Sequence, residues 1–457
     1  MAKKQVSAPA APAPANRPPY MLIEEIRVQG YKSLVDATLH VRPLTLLAGT
    51  NSSGKSSIMQ PLLLIKQTME APYQPAGALL LSGGHVQIDQ AEQVLSLITG
   101  VQEKTFSCFL VGHEFYDRDK EYVSSAFNLT FRKAAAGFEI DKQSWQTGDE
   151  KIEIWDGMSW EDVKNQLSKE RLEELLADGT IDIDIFRLPG YLVLHLLDEE
   201  GQLVDVYSPA SYEEEIPEII HIPGLRSAPL RSYPYASYVR RIRGTFDLYA
   251  AGVVNRWQEQ QDTEKLAKLN DYLRRLGLTD SVTAKVKNAN EVELSVSRLP
   301  AGSKGKPRKA DLVNIADVGI GVSQVLPILV ALIAAQKGQL VYVEQPELHL
   351  HPRAQVAMAE LLAEAANRGV RVIVETHSSL LLLTVQTLIA QDRIKNTDVA
   401  LHWFARDAKG ATQVTYVEPD EDGAYGAWPE DFGDVELRAQ DAYLTAVGER
   451  HFGKAGK

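Results

Sequence analysis

The stretch LTLLAGTNSSGKSS, residues 44–57, decides how the rest of the chain is interpreted. An apolar run ends at Gly49, and Gly54, Lys55 and Ser56 complete the pattern GxxxxGK[ST] before a second apolar stretch. In this strand-to-helix context the glycines let backbone N–H groups surround a phosphate, the lysine reaches the terminal phosphates and the serine ligates Mg²⁺. The residues predicted to contact the nucleotide here are Asn51, Ser52, Ser53, Gly54, Lys55, Ser56 and Ser57.

A second stretch, LVYVEQPELHLHP at residues 340–352, carries acidic groups suited to such a site. Four apolar residues predict a buried strand. Glu344 at the end of that strand is placed to hold Mg²⁺ directly or through water, although a core strand that happens to end in an acid is the alternative. Gln345 and Glu347 follow at once and are the candidate catalytic residues.

The segment DVGIGVSQVLP, residues 317–327, is called the signature segment below. It places Gly319 and Gly321 before a helix that we predict to start near Ser323, and a glycine turn at a helix N-terminus is an anion site. The alternative is a helix cap that binds nothing. Gln324 lies beside Ser323 on the same predicted helix.

Two more stretches supply candidate polar groups. In VIVETHSS, residues 372–379, His377 follows a predicted buried strand and could sense a terminal phosphate; a surface histidine is the alternative. In GGHVQIDQ, residues 83–90, either Gln87 or Gln90 could contact the metal, and both could equally be polar loop residues.

Bulk composition fits a folded protein without membrane segments. The 457 residues are 44% hydrophobic and 24% charged, and no apolar run is long enough to cross a bilayer. One cysteine, Cys108, excludes a disulfide framework and fits a reducing, cytoplasmic location. A net charge of −13 repels nucleic acid at long range.

The order of apolar periodicities predicts an α/β fold. After residue 315 helices alternate with buried strands, which indicates a parallel sheet, while residues 104–145 alternate as short antiparallel strands. Continuous helices are predicted at 159–179 and 246–278, and sustained heptads are absent. We divide the chain into a disordered Ala/Pro-rich tail (1–19), an N-terminal half with the phosphate loop (20–100), a β-rich and helical insertion (101–310), a C-terminal half (311–400) and terminal strands and helix (401–457).

The order GTNSSGKS, DVGIGVSQ, VYVEQPELHLHP and ETHSS resembles the ABC-type ATPases of the RecF, SMC and OLD group. LRSAPLRSYP and WPEDF also resemble the narrower group of stand-alone bacterial AAA-family ATPases found in anti-phage systems such as Septu and PARIS. The resemblance covers about residues 21–440. It implies a P-loop ABC-type head with a mixed core sheet, an antiparallel β subdomain and a helical insertion, without a long coiled coil.

The resemblance also implies how the site works. ATP and Mg²⁺ would lie between two heads, with the phosphate loop of one copy facing Gly319, Gly321, Ser323 and Gln324 of another, so that the protein is at least a dimer. The wider superfamily has a catalytic glutamate where this chain has Gln345. Because an amide can orient a water but cannot accept its proton, slow hydrolysis is expected, whether the glutamine is natural or introduced.

Basic residues form two clusters that could contact nucleic acid or a protein partner. The first spans 224–246 and comprises Arg226, Arg231, Arg240, Arg241 and Arg243 with Tyr233, Tyr235 and Tyr238. The second comprises Lys304, Lys306, Arg308 and Lys309. Solvated or salt-bridged arginines in an acidic protein are the alternative.

Three functions stay open from the sequence. The first is an oligomeric ATP-dependent switch that senses a trigger and holds or activates an effector, such as a nuclease encoded nearby, in anti-phage defence. The second is a RecF-like DNA-repair ATPase that binds DNA itself. The third is a nucleotide-binding scaffold with no significant hydrolysis.

Overall fold

The computed structural model describes residues 21–98, 101–116, 121–135, 137–180, 182–235, 243–298, 311–426, 441–447 and 450. The predicted tail at 1–19, Tyr238, Arg240, Arg241, the lysine-rich cluster at 304–309 and WPEDF lie outside these residues. The strands are β1 Met21–Tyr31, β2 Leu34–His40, β3 Leu44–Gly49, β4 Leu97–Ile98, β5 Val101–Gln102, β6 Thr105–Tyr116, β7 Glu121–Ala134, β8 Gly137–Thr147, β9 Glu150–Ile154, β10 Asp182–Leu188, β11 Tyr191–Leu197, β12 Leu203–Tyr207, β13 Ile220–Ile222, β14 Tyr233–Pro234, β15 Val282–Asn288, β16 Glu291–Ser297, β17 Leu312–Asn314, β18 Leu340–Glu344, β19 Arg371–Glu375, β20 Val399–Arg406 and β21 Thr412–Val417. The helices are α1 Lys55–Met69, α2 Trp160–Lys164, α3 Lys169–Ala177, α4 Ala210–Glu218, α5 Ala250–Glu259, α6 Thr263–Arg275, α7 Ile320–Ala334, α8 Pro352–Asn367 and α9 Ser379–Ala390.

The core sheet has six strands in the order β13-β18-β19-β3-β20-β21. Its first five strands are parallel, and only β21 runs antiparallel to its neighbour. The carboxyl ends of β3, β18 and β19 therefore lie side by side at one edge, which is where ligands bind in open α/β sheets. This edge brings the phosphate loop next to the predicted acidic strand.

Both faces of the core sheet are buried, which explains why its strands are apolar throughout. Along β18, Val341 and Val343 join one hydrophobic cluster whereas Leu340 and Tyr342 join another, as the two-residue repeat of a strand requires. Helices α5 to α9 contribute to the first cluster. Helix α1 and the antiparallel sheet contribute to the second.

The antiparallel sheet also has six strands, in the order β2-β1-β6-β7-β8-β9. It joins strands from the first hundred residues to strands from the predicted insertion. The insertion also contributes β13, whose residues 220–222 pair in parallel with residues 341–343 of β18. The insertion is thus built into both sheets. Smaller sheets, β10-β11-β12, β14-β16-β15 with β17 on β16, and β4-β5, complete the described strands.

Two long helices predicted from periodicity are each divided in two. The helix predicted at 159–179 is interrupted after Lys164, because Ser168 caps a second helix by accepting a hydrogen bond from the Arg171 N–H. Ser159 caps the first of the two helices, and its side chain forms a capping box with Asp162. The helix predicted at 246–278 is likewise two helices, with Asp262 capping the second. Apolar spacing alone predicts one continuous helix in each place. The polar side chains of Ser168 and Asp262 bond to the backbone there and start a second helix instead.

The predicted fold class is confirmed as a mixed α/β fold, with a mostly parallel core sheet, antiparallel sheets and helices from the insertion. Within the described ranges the longest helix is α8, with 16 residues, so no long coiled coil occurs there. No helix in the described part of the chain is long and apolar enough to cross a membrane.

Candidate nucleotide-binding site

The backbone of the phosphate loop, residues 49–56, depends on its two glycines. Gly49 has φ +147° and Gly54 has φ +102°, which L side chains rarely adopt. A Cβ at Gly49 would lie 2.2 Å from the Phe404 carbonyl oxygen of the neighbouring strand. Gly54 begins α1 without a side-chain cap, so the N–H groups of the first turn of α1 are open to an anion.

Lys55 is folded back onto its own loop. Its Nζ donates to the carbonyl oxygens of Gly49 at 3.0 Å and Thr50 at 2.7 Å. Burial lowers the pKa of Lys55, and the charges of Glu375 and Glu347 partly oppose that shift. The ammonium thus lies at the centre of the loop, in reach of phosphates that would compete for it with these two carbonyls.

Two carboxylates meet beside the loop. Glu344 ends β18 and Glu375 ends β19, and their Cα atoms are partners in the parallel register. The Ser56 hydroxyl hydrogen-bonds Glu375, and the Tyr342 hydroxyl donates to the same carboxylate at 3.1 Å. Burial and then the neighbouring charge of Glu344 raise the pKa of Glu375, although the Ser56 bond opposes the rise. Hydroxyl and carboxylate oxygens are hard ligands that fit Mg²⁺.

Glu344 is held by a segment that is remote in sequence. His221 Nε2 lies 3.0 Å from Glu344 Oε1, and the Gly224 N–H donates to Oε2 at 2.9 Å. Burial raises the pKa of Glu344, but the hydrogen bonds from His221 and Gly224 outweigh burial and the pKa is lowered. The carboxylate is therefore oriented and favoured in its charged form, as metal ligands with hydrogen-bonded partners are.

The turn after Glu344, residues 344–347, is called the acid turn. Gln345 has φ +45°, an uncommon conformation for a residue with a side chain. Its N–H donates to the Glu375 carbonyl at 2.7 Å, and its own carbonyl accepts from Arg226 Nη2 at 3.0 Å. Hydrogen bonds to both the N–H and the carbonyl of Gln345 thus hold the turn in place.

Glu347 points back toward the phosphate loop. Its Oε1 accepts a hydrogen bond from the His377 N–H at 2.6 Å, and its Oε2 is buried without a hydrogen-bond partner among the described residues. Burial raises the pKa of Glu347, which makes it a better proton acceptor near neutral pH than an ordinary carboxylate. Burial and the charge of Lys55 lower the pKa of His377, so its imidazole is neutral there.

The signature segment begins α7 at Ile320, three residues earlier than predicted, with Gly319 as the N-cap. Gly319 and Ile320 are exposed. Ser323 is buried and its hydroxyl donates to the Ile320 carbonyl, while Gln324 Nε2 donates to the Ser227 carbonyl. In the single chain these two side chains donate hydrogen bonds to nearby backbone carbonyls, and the N-terminal end of α7 is exposed.

The loop of residues 83–90 reaches the acids of the site through His85 rather than through a glutamine. Gln87 and Gln90 are both exposed. His85 from the same loop lies 3.0 Å from His221 and 3.0 Å from Glu70, and His221 contacts Glu344. A metal contact by either glutamine stays a prediction.

The first basic cluster is divided between surface and interior. Arg226 is 5% exposed and Tyr233 is buried, so neither is presented to a phosphate backbone. Arg231 is exposed and forms an ion pair with Asp317 at 2.7 Å. Within the described residues, a nucleic-acid surface would therefore rest on Arg231 and Arg243.

Two residues at the site, Glu375 and His221, were not predicted from the sequence, and Arg226 was predicted only as a contact to nucleic acid or a partner. Glu375 could have been found, because it ends a buried parallel strand just as Glu344 does. His221 and Arg226 have no such signal, since β13 is only three residues long and lies more than 100 positions before β18.

Two protein-family models match separate parts of the chain. A family model described as "AAA ATPase domain" matches residues 21–184, and one described as "AAA domain, putative AbiEii toxin, Type IV TA system" matches residues 230–383. The first range contains the phosphate loop, and the second contains the signature segment, the acid turn and His377. No curated protein matches the sequence.

Similar solved structures include SMC heads. One is an SMC head bound to the C-terminal winged-helix domain of ScpA, at 12% identity, 87% of this chain, 98% of that chain and a TM-score of 0.45. Another is the SMC head domain from Thermotoga maritima, at 12% identity, with 87% of this chain and 100% of that chain covered and a TM-score of 0.38. A third is a Pyrococcus furiosus Smc head with an extended coiled coil, bound to the C-terminal domain of ScpA, at 12% identity, with 93% of this chain and 99% of that chain covered and a TM-score of 0.43. Residues 21–184 and 230–383 of this chain are thus each similar to a family of AAA ATPase domains.

Proposed function

We propose that this protein is an ATP- and Mg²⁺-dependent switch in which two copies close on nucleotide and hydrolyse it slowly. In the closed state it holds or activates an effector protein, such as a nuclease encoded nearby, in defence against phage. The observation that carries the proposal is the convergence of Lys55, Ser56, Glu344, Glu375 and His377 at one edge of the core sheet. Bound Mg²⁺ would neutralise charge on the phosphates, with Ser56 and Glu344 as its predicted protein ligands.

Closure by a second copy is supported by the surface beside the site. Leu225 is 94% exposed and Ile320, at the open end of α7, is 46% exposed. The loop that carries Leu225 is joined to α7, because Gln324 on α7 donates to the Ser227 carbonyl. Apolar side chains exposed together beside a ligand site are typical of surfaces that another protein covers.

Molar mass measured by light scattering tests closure directly. The protein should be larger with ATP and Mg²⁺ than with ADP or without nucleotide. The double variant Leu225→Ser, Ile320→Ser should lose the ATP-dependent increase, whereas Leu203→Ser, an exposed leucine on a remote hairpin, should keep it. A wild-type protein that binds ATP and keeps one mass throughout would refute closure.

The effector requires a second measurement. Phosphate release should be measured from the chain alone and with the product of the neighbouring gene. A change in turnover, together with co-purification that depends on ATP, supports the switch. ATP-dependent DNA binding by the isolated chain, with a steep salt dependence, would instead support the RecF-like function.

A scaffold without significant hydrolysis is the second candidate, and Gln345 favours it, because an amide accepts no proton. Replacement of Gln345 by Glu separates the two functions. Turnover that rises by about 10-fold or more means that the glutamine limits an active site. Turnover that stays undetectable in both proteins supports the scaffold.

A further inference from the structure

We propose that Arg226 is a positioning residue: it fixes the acid turn in its working geometry and transmits the position of the signature segment to it. This inference rests on the proposed function, because it concerns the same site. Arg226 belongs to the segment 224–231, called the arginine loop below. Neither the phosphate-loop motif nor the acidic strand accounts for a buried arginine at this place.

Arg226 holds the acid turn by its backbone. Its Nη2 donates to the Gln345 carbonyl at 3.0 Å, and its Nη1 lies 3.5 Å from the Glu344 carbonyl. Only a guanidinium offers several donors in one plane to two successive carbonyls. Because Gln345 has φ +45°, the turn needs such external contacts to stay in an uncommon conformation.

The charge of Arg226 is also directed at the acids of the site. It interacts electrostatically with Glu347, Asp247 and Glu344, and burial lowers its pKa to about 10. The guanidinium is therefore still charged at neutral pH. A buried cation close to three carboxylates fixes their geometry more strongly than a surface pair would.

The arginine loop is fastened to the signature segment in two places. Gln324 Nε2 donates to the Ser227 carbonyl at 3.0 Å, one residue after Arg226. Arg231 pairs with Asp317 at the other end of the loop. A displacement of the signature segment therefore displaces the loop at two points that follow Arg226 in the chain.

A small cavity lies at this junction. It has a volume of about 20 Å³ and is lined by Arg226, Asp247 and Ser323, among others. Arg226 Nε and Asp247 Oδ1 are buried and have no hydrogen-bond partner in the described part of the chain. The cavity is large enough for one water molecule, which could join the donor to the acceptor. The contact between the loop and α7 thus leaves room for one water molecule beside the Arg226 guanidinium.

These contacts connect the signature segment, through the arginine loop, to the acid turn. When a second head or a nucleotide engages the open end of α7, the arginine loop moves with it. Arg226 then carries the displacement to the carbonyls of Glu344 and Gln345, on the turn that also presents Glu347. The geometry of hydrolysis would depend on whether the signature segment is engaged.

The test compares Arg226→Met and Arg226→Lys with a matched arginine elsewhere. Arg187 also donates to two successive loop carbonyls, those of Pro75 and Ala76, but far along the chain from the site. Arg226→Met should lower kcat for ATP by about 10-fold or more with KM changed by less than about 2-fold. Arg226→Lys should restore part of kcat, because an ammonium can bond one of the two carbonyls. Arg187→Met should leave kcat unchanged.

A second readout needs no nucleotide. Hydrogen exchange in the ligand-free protein should accelerate in Arg226→Met at the amides of Gln345 and His377, which are bonded to the Glu375 carbonyl and the Glu347 carboxylate. Exchange in β20 and β21 should stay unchanged. The Arg187→Met protein should keep slow exchange at both amides.

The outcomes separate this inference from the proposed function. Unchanged kcat and unchanged exchange in Arg226→Met overturn the inference, as does exchange that rises equally throughout the chain, which would make Arg226 a general stability residue. If wild-type protein binds ATP but releases no phosphate, the hydrolytic switch fails, and the exchange measurement alone decides whether Arg226 positions the turn.

Discussion

The phosphate loop and the acid turn face each other across one edge of the same sheet, but they are built in different ways. Lys55 bonds the carbonyls of Gly49 and Thr50, which lie six and five positions away in the sequence. Glu344 and Gln345 are instead held by His221, Gly224 and Arg226, which lie more than 100 positions away.

The difference has a consequence for control. A locally built loop keeps its shape wherever its strand and helix form, so it binds phosphate with little dependence on the rest of the chain. A turn held by remote residues responds to any movement of the segment that holds it. The comparison predicts that nucleotide binding depends mainly on the phosphate loop, whereas turnover depends on the loop and on the remote contacts together.

The largest effect is expected at the phosphate loop. Lys55→Ala should lower ATP turnover by about 1,000-fold, because a donor aimed at the transferred phosphate is lost. Binding of a fluorescent ATP analogue should weaken as well. Lys395→Ala, at an exposed lysine, is the control. Turnover that survives in Lys55→Ala would mean that the loop is not the nucleotide site.

The next largest effect concerns the acid turn. Glu347→Gln should lower turnover by about 100-fold while leaving nucleotide affinity nearly unchanged, because it removes a base rather than a binding group. Since burial raises the pKa of Glu347, wild-type turnover should fall as pH falls through that raised pKa, above the range of an ordinary carboxyl group. Phosphate release measured against pH checks both points. If phosphate release by Glu347→Gln falls at low pH just as it does in the wild-type protein, Glu347 is excluded as the base.

A third effect tests the stability of the sheet beside the phosphate loop. His402 on β20 is fully buried, and burial lowers its pKa to about 3. The folded state therefore binds the proton less readily than the unfolded state, so the contribution of His402 to stability is complete above about pH 6.5 and is lost as pH falls toward 3. At pH 5 the free energy of unfolding should be about 2 kcal/mol lower on this account.

Urea unfolding at pH 7.5 and pH 5 measures this contribution. His402→Gln should show a smaller loss between the two values than wild type. His113→Gln, at a partly exposed histidine on β6, should show the wild-type loss. Equal losses in all three proteins would show that His402 is not responsible.

The smallest effect is expected at the exposed end of the arginine loop. The side chains of Arg231 and Asp317 are 72% and 47% exposed, and ion pairs of this kind contribute less than about 1 kcal/mol. Arg231→Ala should therefore change the free energy of unfolding very little in urea titrations. A loss above about 2 kcal/mol would mean that the loop is fastened mainly by this pair and not by the buried contacts of Arg226.

Much of the fold followed from periodicity because the strongest signals were local. The apolar strands that end at Gly49, Glu344 and Glu375 and the helix after Lys55 lie where the patterns predicted them. The continuous helices predicted at 159–179 and 246–278 were wrong, because Ser168 and Asp262 cap new helices within them. A capping side chain forms hydrogen bonds with backbone groups that would otherwise bond within the helix. The spacing of apolar residues contains no information about these local hydrogen bonds.

The sequence alone determined the chemistry of the phosphate loop, since a glycine-rich turn, a lysine and a helix start are contiguous and need no distant partner. Its resemblance to the ABC-type ATPases also predicts that Gln345 stands where those proteins have a proton acceptor. Only the tertiary structure decided that His221 and Gly224 orient Glu344, that Glu375 joins the acids, and that Arg226 is buried against the acid turn. These contacts join strands and loops that are adjacent only because β13 pairs with β18, and a three-residue strand carries too little pattern to predict its neighbour.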